Sequence, residues 1–160
     1  MNKPPEQLHL NVKLDDSISL DKFIECDSTQ DFLKILRNST KDKSISNFYL
    51  IWGDEGRGKS YIMQGLHRKY IEDSKTTFQF SFKDKRVNSP EILMNLGALE
   101  ALFIEDFGSM EDSEDWERAM FNLINECYMS GTRIYLSSNI VTKDLPIRLV
   151  DLASRLSSFT

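Results

Sequence analysis

Eight consecutive residues, Gly53-Asp54-Glu55-Gly56-Arg57-Gly58-Lys59-Ser60, match G-x-x-x-x-G-K-[ST] at every fixed position. The motif constrains the fold because it works only between a buried strand and a helix. Glycines let the backbone curl so that its N–H groups face phosphate oxygens, and the start of the following helix adds a dipole that favours anions. The flanks fit. Phe48-Tyr49-Leu50-Ile51-Trp52 is a short continuous apolar run, and residues 58–71 carry Ile62, Leu66 and Tyr70 four apart, as one helix face requires. In this chemistry Lys59 reaches the β- and γ-phosphates and the Ser60 hydroxyl ligates Mg²⁺. The stretch Gly53, Asp54, Glu55, Gly56, Arg57, Gly58, Lys59, Ser60 and Tyr61 is therefore expected to hold ADP or ATP with Mg²⁺.

The rest of the chain alternates between strand and helix. Ser28 or Thr29 opens a helix with Phe32, Leu33, Ile35 and Leu36 on its apolar face. Strands are expected over 77–82, 101–104 and 134–136. Helices are expected from Pro90 to about Leu96, over 113–129 ending at Gly131, and from Leu149 to Leu156. Such alternation implies a parallel sheet covered on both faces. The acidic run Glu111, Asp112, Glu114, Asp115 and Glu117 reads as a solvated helix start.

Two further stations lie at expected strand ends, where ligands of parallel sheets sit. Leu102-Phe103-Ile104 runs into Glu105-Asp106, a pair suited to hold a magnesium ion (Glu105) and to polarise an attacking water (Asp106). Such pairs usually place Asp first, so both carboxylates are displaced by about 1 Å, enough to slow chemistry on the order of 10²-fold. Ile134-Tyr135-Leu136-Ser137-Ser138 runs into Asn139, placed to contact a γ-phosphate or orient a water; the other reading is that Ser138 or Asn139 caps the next turn. Arg155 stands on the polar side of the last expected helix.

Composition narrows the field. Lys and Arg number 20 against 25 Asp and Glu, a formal charge of −5, which argues against nucleic-acid binding by bulk charge. Cys26 and Cys127 form no CxxC, and His9 and His67 are the only histidines, so disulfide scaffolds and Cys/His metal centres are not expected. No apolar run approaches a membrane span and the first residues lack a signal-peptide core, so a cytoplasmic protein is expected.

Taken together, the loop, the acidic strand end, Ser137-Ser138-Asn139 and Asp151-Leu152-Ala153-Ser154-Arg155-Leu156 resemble an AAA+ ATPase core. More narrowly, the chain resembles the DnaA family of replication initiators, and within it the regulatory inactivators of DnaA, the Hda-type proteins. Gln7-Leu8-His9-Leu10, Asp84-Lys85-Arg86, Pro90 to Leu93, Ile104 to Phe107 and Trp116 to Leu123 carry that similarity. It implies an α/β fold with a parallel five-stranded P-loop sheet and helices on both faces, over residues 17–160, after an extended segment at 1–16. The helical lid of the family is expected to be absent. The resemblance makes Arg155 an arginine finger acting in trans on ATP held by DnaA, and Asn139 a sensor residue. It puts Phe23 and Ile24 against adenine and docks Gln7, Leu8 and Leu10 on the sliding clamp. Asn11-Val12 stands where the family's clamp motif continues Pro-Leu. The implied partners are DnaA and the clamp, with no sequence-specific DNA binding and homo-oligomerisation left open. The alternatives are an initiator-like or helicase-loader-like ATPase with its own turnover, or a nucleotide-binding interaction module without catalysis.

Overall fold

The structure is a computed structural model and describes residues 29–41 and 47–160. Four parallel strands, β1 (Phe48–Trp52), β2 (Thr77–Ser81), β3 (Ala101–Glu105) and β4 (Arg133–Ser138), form one sheet in the order β1-β4-β3-β2. Helices α1 (Gln30–Ser39), α2 (Lys59–Glu72), α3 (Glu114–Ser130) and α4 (Val150–Ser157) cover it.

Strand pleating divides the sheet into two faces. Tyr49, Ile51, Ala101, Phe103 and Tyr135 pack with Leu33 and Leu36 of α1 and Ile62, Met63, Leu66 and Tyr70 of α2. Phe80, Leu102, Ile104, Ile134 and Leu136 pack on the other side with Trp116, Met120, Leu123, Ile124 and Cys127 of α3 and Leu152 and Leu156 of α4. Both faces being buried explains why β1, Ala101 to Ile104 of β3 and Ile134 to Leu136 of β4 read as unbroken apolar runs. Burial pushes the Cys127 thiol up to about 12, so it is an inert core group.

The expected α/β architecture is present, with two corrections. The sheet has four strands among the described residues, not five. Beyond β1 there is a single rung. Thr160 donates its N–H to Phe48 O at 3.0 Å and accepts from Leu50 N–H at 2.9 Å, the parallel-ladder pattern, for one residue. The helix expected from Pro90 to Leu96 is two separate 3₁₀ turns, Pro90–Leu93 and Leu96–Ala98. Asn95 between them sits at φ 61°, a left-handed conformation that no α-helix passes through.

The acidic run also differs from its expectation at one residue. Glu117 is 3% exposed. Its carboxylate accepts the backbone N–H of Arg148 (3.1 Å to each oxygen) and of Leu149 (2.6 Å). Leu149 is the N-cap of α4 and has no side-chain cap of its own, so Glu117 satisfies a donor that α4 would leave orphaned and holds the residue before it. Glu117→Ala is expected to lower stability by about 1 kcal/mol, the low end of the ~1–3 kcal/mol an unpaired donor costs, because the two donors are part-buried and water can reach them. A lowered urea midpoint, partly restored in Glu117→Gln, checks this.

Candidate nucleotide site at the strand C-termini

All four strands are parallel, so their C-terminal ends share one edge of the sheet. β4 lies between β1 and β3, and this order brings the three stations of the sequence together. Gly53 N–H donates to Ser138 O at 3.2 Å, tying the start of the loop to the end of β4.

The loop has the form its residues dictate. Gly56 (φ 77°) and Gly58 (φ 83°) hold left-handed conformations that other residues resist, and a Cβ on Gly56 would meet nothing within 4 Å. Gly58 caps α2 without any side-chain bond, and the first turn of α2 holds no acidic residue. The glycine cap leaves an open cradle at a helix N-terminus, which fits a phosphate. Lys59 Nζ donates to Gly53 O (2.6 Å) and Asp54 O (2.7 Å), so the ammonium rests on the loop itself. Asp54, Glu55, Arg57 and Ser60 are exposed, and Tyr61 is half-buried.

Next to the loop an apolar cavity of about 730 Å³ is lined by Phe32, Ile35, Tyr49, Ile51, Trp52 and Ile62, among others. Phe23 and Ile24, expected against adenine, lie outside the described residues, as do Gln7, Leu8 and Leu10.

The two acids are held differently. Glu105 ends β3, is 8% exposed, and accepts from Gln79 Nε2 at 2.7 Å. Asp106 turns the chain with φ 55°. Its Oδ2 accepts from Ser81 Oγ at 2.6 Å, its Oδ1 lies 3.1 Å from Lys83 Nζ, and its N–H donates to Ser137 Oγ at 3.2 Å. Lys83 also reaches Glu55 of the loop at 3.7 Å. The hydrogen bond and charge of Asp106, with a smaller share from Glu55, hold the Lys83 ammonium above the usual lysine range. Both oxygens of Asp106 are therefore engaged.

Of the two residues expected as a turn cap, Ser138 makes the turn, since its Oγ accepts from Ile140 N–H (2.9 Å) and donates to Ile140 O (2.7 Å). Asn139 is left exposed at the edge, its Oδ1 lying over Gly108 where a Cβ would stand 2.7 Å away.

Arg155 does not join this edge. Its guanidinium lies 5.7 Å from the centroid of the Tyr128 ring, and Tyr128 stacks on Phe48 at 6.4 Å. Phe48 begins β1, whereas the loop follows its last residue, and five strand residues span roughly 13–16 Å. Arg155 is exposed at the opposite end of the sheet.

Sequence reasoning missed Gln79, Ser81, Lys83 and Ser137 around the acids. The first two had a signal: β2 reads Thr77-Phe78-Gln79-Phe80-Ser81, with a polar residue at every second position. Among the described residues, no three His, Cys, Asp or Glu could together hold a metal ion, and no helix is long and apolar enough to cross a membrane. A magnesium ion bound with nucleotide needs only one or two carboxylates besides phosphates and water.

Comparison with known proteins agrees with this architecture. A family model for RNA helicase matches residues 49–139, more than half of the chain. An uncharacterized protein of Haemophilus influenzae is 31% identical over 158 residues, which take in 98% of this chain and 66% of that protein. The AMPPCP-bound DnaA structure from Aquifex aeolicus superposes with a TM-score of 0.78 at 19% identity, over 91% of this chain and 49% of that one. The DnaC helicase loader gives 0.62 at 18% identity, over 88% of this chain and 87% of that one. The chain spans about half of the DnaA chain and 66% of the curated relative. At these identities the two structures speak for the fold. From the loop to the end of β4 the match is to one family, and the chain belongs to the RNA helicase family of P-loop proteins, with the fold of the AAA+ domain of DnaA.

Proposed function

We propose that the chain binds ADP or ATP with Mg²⁺ in its phosphate loop and regulates replication initiation, presenting Arg155 in trans to ATP held by DnaA. The observation that carries this reading is the separation of Arg155 from the chain's own loop by the length of β1. The guanidinium therefore does not reach a nucleotide in the chain's own loop, and its exposure leaves it open to a neighbouring molecule. Such a finger stabilises charge on a transferring phosphoryl group.

Within the chain, Lys59 and the N–H groups of the loop and first turn of α2 bind phosphate, and the apolar cavity beside Trp52 takes the base. Ser60 and Glu105 would hold the metal ion, which would neutralise phosphate charge. Asn139 faces the γ-phosphate. Asp106 is the residue placed to polarise a water, but its oxygens are occupied by Ser81 and Lys83, and turnover by the chain alone is slow. That the DnaA structure of similar fold holds AMPPCP supports the nucleotide assignment. Gln7, Leu8 and Leu10 dock the chain on the sliding clamp, and loss of clamp binding in Gln7→Ala/Leu10→Ala tests that part.

The test of the trans reading mixes the chain with DnaA and follows phosphate release. We expect the mixture to exceed the sum of the two alone. A rate equal to that sum overturns the proposal. Fast turnover by the chain alone favours a self-contained ATPase, the second reading. The RNA helicase family match and the likeness in fold to the DnaC helicase loader make that reading worth the control.

A further inference from the structure

The sheet face under α2 carries polar groups that a hydrophobic core does not need. Thr77, Gln79 and Ser81 share one face of β2, and Glu105 pairs in register with Ser81 on the neighbouring strand. His67 of α2 is packed over them, 5% exposed and with its ring 4.9 Å from that of Phe103. Its Nε2 lies 2.9 Å from Thr77 Oγ1. Further along, Gln79 Nε2 donates to Glu105 Oε1 at 2.7 Å.

The directions of these bonds are fixed by what each group can do. A carboxylate only accepts, so the Gln79 amide must turn its NH₂ towards Glu105 and its carbonyl away. That carbonyl oxygen is buried without a hydrogen-bond partner, and so is His67 Nδ1. The two complement each other. If Thr77 donates its hydroxyl proton to Nε2, the ring proton resides on Nδ1, a donor for the Gln79 carbonyl. Burial lowers the His67 pKa, and the nearby Gln79 side chain raises it by less, which leaves the ring neutral.

We propose that Gln79 is a positioning residue for the Glu105 carboxylate, with His67 and Thr77 fixing the orientation of its amide. This rests on the reading of Glu105 as the metal-side acid. It also accounts for the Glu where such sites usually place Asp. Glu has one more rotatable bond, and an anchor on Oε1 restricts that freedom while leaving Oε2 available to a metal ion. Groups that orient a metal ligand in this way commonly change metal affinity 10–100-fold when removed.

The experiment titrates ADP calorimetrically into the wild type, Gln79→Ala, Gln79→Met and Glu105→Gln, at graded Mg²⁺ and in EDTA. Gln79→Met keeps the length of the side chain and removes the donor without adding a charge. For both Gln79 variants we expect the Mg²⁺ needed for half-maximal enhancement of binding to rise about 10-fold or more, with affinity in EDTA unchanged. A Mg²⁺ dependence that moves in Glu105→Gln but in neither Gln79 variant overturns the positioning role. So does an equal loss in EDTA, which marks a general loosening of the fold. A Mg²⁺ dependence unmoved in Glu105→Gln overturns instead the assignment of Glu105 as the metal-side acid.

Discussion

Lys59→Ala is expected to weaken ADP and ATP binding by about 100-fold or more while leaving the fold intact. The ammonium is the cation that the loop motif assigns to the β- and γ-phosphates, and a unit charge pair 4 Å apart near a protein surface is worth ~4 kcal/mol. Partial exposure of Lys59 reduces that figure, but ~2.7 kcal/mol already gives a factor of 100. The structural cost is small. Among the described residues Lys59 Nζ bonds only Gly53 O and Asp54 O, at the rim of an open loop whose carbonyls water can solvate. Titration with a fluorescent ADP analogue, beside thermal unfolding without nucleotide, checks both halves. Wild-type affinity in the variant would remove the phosphate-loop assignment. A lowered unfolding midpoint would mean that Lys59 braces the loop as well. Ser60→Ala should behave differently, losing Mg²⁺-dependent affinity and keeping the rest.

The sequence made the sheet and the loop legible because their signals are local. The loop motif is contiguous, and runs such as Phe48 to Trp52 and Ala101 to Ile104 announce strands buried on both faces. What it hid depends on partners far along the chain. Glu117 looked like one more solvated acid because the N–H groups it accepts lie 31 and 32 residues away. The anchors of the acid pair, Gln79 and Ser81, are 26 and 25 residues from their carboxylates. The break at Asn95 is a conformational choice of one residue, which apolar periodicity does not register. The position of Arg155 was open as well. Its helix was legible, but which end of the sheet it occupies follows from the stacking of Tyr128 on Phe48.

That position yields the prediction with the largest effect. Arg155→Ala should lower the stimulated hydrolysis of DnaA-held ATP by as much as 10³–10⁵-fold, the range that arginine fingers supply in small GTPases. The chain's own ADP affinity should not change, because Arg155 lies at the far end of the sheet from Lys59. Stability should fall by no more than ~0.5–1 kcal/mol, the worth of an exposed cation–π contact such as the one with Tyr128. Arg155→Lys separates charge from geometry. A lysine keeps the positive charge but loses the planar fork that grips two phosphate oxygens at once, so it should recover only a small part of the rate. Tyr128→Ala tests how the finger is held. The ring is 63% exposed, so removing it frees the guanidinium without opening the core. A loss smaller than that of Arg155→Ala is expected, from a finger that must find its pose by itself. If single-turnover rates in the mixture stay at the wild-type level in Arg155→Ala, no finger acts from this face. If binding to DnaA falls in step with the rate in every variant, Arg155 is an interface contact and the chemistry belongs to another group.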